Sequence, residues 1–392
     1  MSNRSVAMAN KLNVDEQAGH RHIFPTLLES KSGEESDVLH EETKMKKSDF
    51  ETHFVTKDYV RAMEENKGYP RYFIDKQTGS RRLYYTDDVG EPLGDILLNK
   101  LLDTGEERLK DMDAAGIDVQ VLSLTTPGVE QFDPAKGTVL ARQINDDLSE
   151  VIKSYPDRFI GFAALAPKDP EAAADELERA VKDLGFRGWK THSNYGGTYL
   201  DDKEYWPILE TAEKLDVPIY LHPTVPAMPQ LRKYGFALAG APFGFGIETS
   251  MCMMRLIYSG VFDKYPGLKI ILGHLGEGLP FLLQRIDFAY ERPWFDPDAR
   301  PDLERKPSDY LKENTFVTTS GNYLPAAFMC TYEAMGIDRI LLATDYPYED
   351  SNECMQFLEG LPITQGDKDK IYSLNAGQIG ITGSLSPYPE NK

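Results

Sequence analysis

Histidines and acids recur at one kind of position in this chain, the end of a short apolar run that is typical of a β-strand. The histidines are His53, His192, His222 and His274. The acids are Glu51, Glu277 and Asp345. When parallel strands close into a barrel, their carboxyl ends meet at one mouth, where imidazoles and carboxylates can hold a single metal ion. The sequence therefore predicts an enzyme with a metal site.

Four of these side chains form the predicted ligand set. Glu51 and His53 are two residues apart, so in a strand both point to one face. His222 follows an apolar strand, and so does Asp345. Burying a carboxylate there is costly without a cation, although capping the next segment is an alternative role for Asp345. Two nitrogens and two oxygens suit one divalent ion, zinc or manganese rather than magnesium.

A second group has the composition of a proton-transfer site. Residues 273–280 read Gly-His-Leu-Gly-Glu-Gly-Leu-Pro, and the glycines let the backbone turn so that His274 and Glu277 meet. Such a pair can move protons near neutral pH. Arg285, in the following helix, is predicted either to bind a substrate carboxylate or to be an ordinary solvated residue. For His192 we expect a hydrogen bond to the substrate rather than metal ligation.

Composition excludes several other classes of protein. The chain has 392 residues, a net charge of −20 and 41% hydrophobic residues, which suits a globular protein and disfavours nucleic acid and anionic membranes as partners. Three unclustered cysteines and the lack of a long apolar run predict a soluble, cytoplasmic protein without disulfides. No G-x-S-x-G, GxGxxG or GxxxxGK[ST] motif occurs, so neither a serine nucleophile nor a nucleotide cofactor is indicated.

Strand-like and helix-like segments alternate from residue 47 onward. Eight strands are predicted at 48–50, 118–124, 159–164, 186–191, 218–221, 269–273, 315–319 and 339–344. Helices are predicted at 140–155, 170–184, 203–215, 247–263, 279–291 and 324–336. This order predicts an α/β fold, a (β/α)8 TIM barrel of residues 47–380, with an open doubly wound sheet as the alternative.

Three segments fall outside this repeat. Residues 1–46 are polar and aperiodic, which predicts an N-terminal arm that is flexible or contacts another subunit, and residues 381–392 form a tail. An insertion at about 64–100 contains a predicted hairpin after the first strand. Its aromatic residues are Tyr69, Tyr72, Phe73, Tyr84 and Tyr85. We interpret the hairpin as a lid over an aromatic substrate, with a decorative hairpin or a subunit contact as the alternative.

The motifs in combination resemble one family. They are Glu51-Thr-His53, Phe186-Arg-Gly, Tyr199-Leu-Asp-Asp202, Leu221-His-Pro223, Gly273-His-Leu-Gly-Glu-Gly-Leu-Pro280, Thr319-Ser-Gly-Asn322 and Ala343-Thr-Asp-Tyr-Pro347. From about residue 47 to residue 380 the chain is similar to the metal-dependent, non-oxidative decarboxylases of the amidohydrolase superfamily. That family includes γ-resorcylate, 2,3-dihydroxybenzoate and 5-carboxyvanillate decarboxylases and, more distantly, aminocarboxymuconate semialdehyde decarboxylase.

The resemblance implies roles for particular residues. The metal ligands would be Glu51, His53, His222 and Asp345. The catalytic residues would be His274, Glu277 and Asp345, and the substrate contacts would be Arg285, His192 and Asn322. Relatives often have asparagine at the position of His192, so its role is less constrained.

The resemblance also implies a reaction and an assembly. The expected reaction is loss of CO2 from a (hydroxy)aromatic carboxylic acid, with one Mn2+ or Zn2+ per subunit, no organic cofactor, and a homodimer or homotetramer. A hydrolase or hydratase of the same superfamily, acting on a lactone or unsaturated acid through metal-bound water, is the alternative, because fold and ligands do not fix the chemistry.

Overall fold

Eight parallel strands form the centre of the fold, as the sequence predicts. The computed structural model describes residues 45–91 and 94–381, so the arm before residue 45 and the tail after residue 381 lie outside the described residues. The barrel strands are β1 (Ser48–Phe54), β4 (Val119–Leu124), β5 (Phe159–Gly161), β6 (Trp189–His192), β7 (Ile219–His222), β8 (Ile270–Leu272), β9 (Thr315–Thr318) and β10 (Ile340–Leu341). The predicted barrel is confirmed, in preference to the open sheet.

The barrel closes through two short contacts between strand groups. β1, β4 and β5 pair in that order, and β6 to β10 form a second consecutive run. Ala163, just after β5, forms a parallel bridge with Trp189, and Thr52 does so with Tyr346. The backbone N–H of Phe50 also donates to the carbonyl of Leu342 at 2.8 Å. The ends of all the strands that carry candidate site residues therefore share one mouth.

The first strand is longer than predicted and is polar yet buried along its whole length. Asp49 accepts hydrogen bonds from the hydroxyl and backbone N–H of Thr344, at 2.6 and 3.0 Å, and Thr52 donates to the carbonyl of Val121 at 2.8 Å. Because Asp49 and Thr52 find partners on neighbouring segments of the barrel, these polar side chains can be buried in β1. Glu51 and His53 therefore lie inside β1, not at its end.

Helices follow the strands, and they include the six predicted ones with boundaries shifted by a few residues. They are α1 (Lys57–Glu64), α2 (Asp95–Leu102), α3 (Glu106–Ala115), α4 (Pro134–Ser154), α5 (Pro170–Lys182), α6 (Trp206–Lys214), α7 (Phe236–Ala239), α8 (Gly244–Tyr258), α9 (Val261–Lys264), α10 (Leu279–Ile286), α11 (Phe288–Glu291), α12 (Pro307–Asn314), α13 (Pro325–Met335), α14 (Ser351–Glu359) and α15 (Gln365–Tyr372). None of these helices is long and apolar enough to cross a bilayer.

Helix α5 shows how the local sequence sets an element. The Asp169 side chain accepts a hydrogen bond from the N–H of Ala172 at 3.3 Å, and proline occupies the first helical position. Ala173, Leu177 and Ala180 are buried at helical spacing against the barrel. The helix therefore packs against the outside of the barrel and leaves the barrel mouth open.

The predicted hairpin is present, but its aromatic side chains do not form the predicted lid. β2 (Arg71–Ile74) pairs antiparallel with β3 (Arg81–Tyr84), and α2 begins soon after, so the insertion ends near residue 94 rather than 100. Tyr72 and Tyr85 are buried in the protein core, whereas Tyr69 is 43% exposed. None of the five predicted lid aromatics lines the cavity at the barrel mouth. Tyr72 and Tyr85 instead pack in the core, and Tyr69 and Phe73 are exposed outside the cavity.

Candidate active site

The four predicted ligands converge at the barrel mouth. One candidate ligand atom from each of Glu51, His53, His222 and Asp345 lies within 4.8 Å of the others. Nε2 of His53 is 2.8 Å from Oδ1 of Asp345, and Nε2 of His222 is 3.4 Å from Oε1 of Glu51. β1 supplies two of these residues, β7 one, and the turn after β10 the fourth.

The hydrogen bonds around the two imidazoles turn one nitrogen of each ring toward this centre. Nδ1 of His222 donates to the carbonyl of Pro223 at 2.8 Å, which leaves the Nε2 lone pair facing Glu51. Nδ1 of His53 lies 2.8 Å from Nζ of Lys190. For Nε2 of His53 to bind a cation, its proton must sit on Nδ1 and be donated to an uncharged Lys190 amine.

Local electrostatics favour neutral imidazoles and a neutral lysine. Burial lowers the pKa of Lys190 to about 7. Burial, followed by the nearby Lys190 charge, lowers the pKa of His222 to about 3 and holds the pKa of His53 well below its usual range. Neutral imidazole is the form that binds metal, so both rings are ready ligands at neutral pH.

The Glu51 carboxylate provides a test of whether a cation fits. The side chain is buried, and the hydroxyl of Ser320 donates to Oε2, but Oε1 has no hydrogen-bond partner among the described residues. Burial opposes its ionisation, yet His274 and His222 outweigh burial and hold the pKa of Glu51 below its usual range. A buried carboxylate oxygen without a partner is costly, and a cation at the centre of the four ligands would satisfy it. The residues present therefore fit a divalent ion.

The proton-transfer pair lies beside this centre on a strained turn. Nδ1 of His274 is 2.7 Å from Oε1 of Glu277, and Nε2 is 3.8 Å from Oδ2 of Asp345. All three residues have left-handed backbone, with φ of 50°, 53° and 61°. Non-glycine residues adopt this conformation at a cost, and such residues are concentrated at functional sites.

The close approach of a neighbouring loop makes a glycine necessary at residue 321. Gly321 has a φ of 75°, and a Cβ there would lie 2.4 Å from Cδ2 of His274. No real side-chain contact is that short, so any other residue would push the imidazole away. The loop after β9 thus fixes one face of His274.

The charges of this second group are also coupled to the ligand group. Burial opposes a positive His274, but Glu51 and Glu277 outweigh burial and raise the pKa of His274 well above its usual range. Burial raises the pKa of Asp345 to about 7, and the charge of Glu51 adds to the effect. Asp345 can therefore hold or release a proton near neutral pH while it faces both groups.

The site opens into a cavity of about 610 Å3, which is in the range of small-molecule pockets. Its apolar wall includes Phe236, Phe243, Phe245 and Ile247. Its polar lining includes His222, His274, Glu277, Asn322, Asp345, Glu349 and Glu91. A flat aromatic ring with polar substituents suits such a lining.

The predicted substrate contacts fall in three different places. Asn322 lines the cavity as predicted. His192 lies next to His222, with ring centroids 5.6 Å apart, but its Nδ1 is 2.8 Å from Oε1 of Glu130 and the ring does not line the cavity. Arg285 is exposed on α10 with its guanidinium over the ring of Phe288, so the structure does not bring it to the cavity.

Other residues of the site were not found by sequence reasoning. Glu130 is the buried partner of His192, and Glu91 lines the cavity from the end of the hairpin. Arg108 is buried behind β1, where it donates to the carbonyl of His53 at 2.6 Å and lies over the ring of Tyr346 at 4.7 Å. All three are residues of charged type that lie inside the fold. Only a prediction of which residues are buried would have identified them from the sequence.

A barrel whose carboxyl mouth carries four side chains that could hold a metal ion is typical of one class of enzyme, and the chain belongs to the amidohydrolase family, which it matches over residues 49–379. It is 42% identical over 292 residues to γ-resorcylate decarboxylase from Polaromonas sp. (strain JS666), covering 72% of this chain and 89% of that protein. The family resemblance is confirmed.

Solved structures agree with this placement. The 5-carboxyvanillate decarboxylase of Sphingomonas paucimobilis superposes with a TM-score of 0.77 at 34% identity, covering 86% of this chain and 100% of that one. The dihydroxybenzoic acid decarboxylase of Polaromonas sp. JS666, with bound manganese and the inhibitor 2-nitroresorcinol, superposes with a TM-score of 0.73 at 36% identity. The match covers 86% of this chain and 96% of that one.

Proposed function

We propose that this protein catalyses metal-dependent, non-oxidative decarboxylation of a hydroxyaromatic carboxylic acid. The observation that carries the proposal is the position of Asp345, with Oδ1 beside the candidate ligand His53 and Oδ2 toward His274. One carboxyl group can thus serve both the metal centre and proton transfer. The likeness to γ-resorcylate and 5-carboxyvanillate decarboxylases supports the same reaction.

Glu51, His53, His222 and Asp345 would hold one divalent ion. When bound, such an ion supplies Lewis acidity and a fixed positive charge for the carboxylate of the substrate. We place manganese before zinc, because a related structure contains manganese and because half of the donor atoms are carboxylate oxygens. No organic cofactor is proposed.

The protein's own residues would exchange a proton for CO2. His274, held by Glu277 and with a pKa raised well above its usual range, would supply a proton to Asp345, which is ionised while it holds the ion. Asp345 would pass this proton to the ring carbon that bears the carboxylate. The C–C bond then breaks, its electron pair restores the aromatic ring, and CO2 leaves.

The remaining contacts would orient the ring. Asn322 would bind a polar substituent of the ring. His192 does not line the cavity, so it would act on the substrate only through the neighbouring His222. Arg285 is exposed and outside this cavity, so a carboxylate clamp there would require the cavity of a neighbouring copy.

We also propose that two or four copies assemble. Phe281 on α10 is 81% exposed, and Phe243 and Ile247 at the cavity rim are exposed as well. Exposed apolar side chains can form the kind of patch that a subunit contact buries. Light scattering on the full chain would give the number of subunits.

A cytoplasmic location of the protein stays a prediction.

A substrate screen tests the proposed reaction. Manganese-loaded protein is incubated with 2,3-, 2,4-, 2,5- and 2,6-dihydroxybenzoate and with 5-carboxyvanillate, and CO2 and the phenolic product are measured together. We expect equimolar CO2 and phenol from at least one acid. Turnover of lactones or unsaturated acids without CO2 would instead establish the hydrolase or hydratase alternative.

A further inference from the structure

Glu91 is a carboxyl group that neither the metal centre nor proton transfer uses. It follows the hairpin, where its N–H donates to the carbonyl of Leu83 at 2.7 Å, and its side chain is only 6% exposed. The side chain lines the same cavity as His222, His274 and Asp345. The hairpin therefore reaches the substrate cavity through an acid and not through its aromatic residues.

Only one oxygen of this carboxyl group is engaged by the protein. The hydroxyl of Tyr85 donates to Oε2 at 3.0 Å, and Oε1 has no hydrogen bond to any other described residue. No cation within the described ranges pairs with Glu91, and burial raises its pKa to about 7. A carboxyl group that is largely buried at the wall of a cavity is stabilised when a ligand donates a hydrogen bond to its second oxygen.

Tyr348 relates Glu91 to the metal centre. The ring centroids of Tyr348 and His53 are 5.4 Å apart. Burial and then the nearby Glu91 raise the pKa of Tyr348 well above its usual range, so Glu91 lies within electrostatic reach of the Tyr348 hydroxyl. Glu91 lines the cavity but is not one of the four residues whose ligand atoms lie within 4.8 Å of one another, so it stands apart from the candidate ligands.

This arrangement gives the cavity two unlike ends. A cation among the four ligands attracts the carboxylate of an aromatic acid, whereas a carboxylate at Glu91 repels it. The aromatic acid is therefore oriented with its carboxylate toward the metal centre and its opposite edge toward Glu91. The aromatic wall of the cavity includes Phe245, whose ring lies 6.1 Å from that of Tyr85, the residue that donates to Glu91.

Resting on the proposed decarboxylation, we infer that Glu91 is a specificity-determining residue that accepts a hydrogen bond from a hydroxyl or amino substituent on the ring edge farthest from the carboxylate. In a 2-hydroxybenzoate these are positions 4 and 5. The substrate class is then a 2-hydroxybenzoate with a hydrogen-bond donor at one of these positions.

A second acid in the cavity, Glu349, is the competing candidate. Its Oε2 is buried without a partner among the described residues, but its backbone N–H donates to the carbonyl of Asp345 at 3.3 Å. It therefore stands at the metal end, where the anionic groups of the substrate are expected. Of these two acids, only Glu91 lies next to the hairpin in the sequence.

The test compares ligands that differ by one donor. Binding of 2,4-dihydroxybenzoate and 2-hydroxy-4-methoxybenzoate, and of 2,5-dihydroxybenzoate and 2-hydroxy-5-methoxybenzoate, is measured by calorimetry on the manganese-loaded protein. At pH 8.5, above the pKa of about 7 of Glu91, the carboxylate accepts a hydrogen bond but cannot donate one to the ether. We expect the hydroxyl compound of at least one pair to bind about tenfold more tightly, because the ether cannot donate to a charged acceptor.

Variants assign that preference to one side chain. Glu91→Leu should reduce the preference to about threefold or less, and Glu91→Gln, which keeps the shape, should reduce it partly. Glu64→Leu is the matched control, because Glu64 contacts Arg81 of the same hairpin at 2.6 Å but does not line the cavity, and it should keep the preference. Manganese content and melting temperature identify any variant that fails to fold.

Three outcomes would overturn the inference. They are a wild-type protein that binds neither compound or binds both equally, an unchanged preference in both Glu91 variants, and loss of the preference in Glu349→Gln but not in Glu91→Leu. CO2 release is measured separately. Hydroxyl-selective binding without CO2 would reject the proposed reaction and keep the inference, whereas CO2 release without selectivity would do the reverse.

Discussion

The residues of the site come from two kinds of backbone. Glu51, His53 and His222 lie inside buried, extended strands, where barrel hydrogen bonds fix their positions. His274 and Glu277 lie on a turn with left-handed backbone. Asp345 belongs to both groups, because it faces His53 yet has left-handed backbone itself.

The backbone conformation of each group suits the chemistry proposed for it. A metal centre needs several atoms held at fixed distances, which strands in a closed barrel provide. Proton transfer needs side chains aimed at one reacting atom, and a glycine-rich turn allows that aim at the cost of backbone strain. Variants in the two regions should therefore fail in different ways.

Variants of the residues on the strands should lose the metal ion. His222→Ala removes a ligand whose tautomer is fixed by the carbonyl of Pro223. We expect substoichiometric manganese and a loss of activity of about a thousandfold or more. Elemental analysis and CO2 release on one sample check this, and full metal content in the variant would exclude His222 as a ligand.

A substitution at Asp345 should separate metal binding from proton transfer. Asp345→Asn keeps an oxygen beside His53 but cannot return a proton, so turnover should be abolished while manganese stays largely bound. Metal analysis and single-turnover assays measure each effect. Unchanged activity would remove Asp345 from proton transfer.

Variants that disturb the turn of His274 and Glu277 should lose activity while the metal ion stays bound. Gly321→Ala puts a methyl group 2.4 Å from His274, so we expect an activity loss of about 10- to 100-fold at full manganese content. Gly336→Ala is the matched control, because Gly336 also has positive φ but has open space at its Cβ. Equal losses in both variants would assign the effect to backbone strain instead of contact with His274.

The smallest expected effect is on metal affinity against pH. Asp345 must be ionised and Lys190 neutral to bind the ion, and both have pKa values of about 7 in the free protein. Both groups therefore release protons on binding, and the affinity for manganese should rise by about tenfold or more from pH 6 to pH 8. Calorimetry in two buffers would measure this rise, and an affinity that falls over the range would contradict a protonated Asp345 and a charged Lys190 in the metal-free protein at pH 6.

Much of the fold and of the ligand group follows from local sequence. Apolar runs such as 218–221 predict strands, and a histidine or acid directly after them is brought to the mouth by the barrel topology alone. β1 was underestimated because its polar residues are stabilised by partners such as Thr344, which is 295 residues away from Asp49. No local pattern carries that information.

The remaining site residues depend on contacts between distant segments. Lys190 reaches His53 over 137 residues, and Glu130 reaches His192 over 62. The family resemblance implies a substrate contact for Arg285, yet its helix leaves it exposed outside the cavity. Which face of a helix or hairpin meets a cavity is decided by tertiary packing, so it could not be predicted from spacing.

The central claim is that distant parts of the chain hold one divalent ion between two imidazoles and two carboxylates. The most direct measurement is anomalous diffraction from crystals of the purified protein soaked in manganese. We predict one strong peak per chain in contact with Glu51, His53, His222 and Asp345. Crystals that show no peak there, or that show Glu51 and Asp345 turned apart, would contradict the claim.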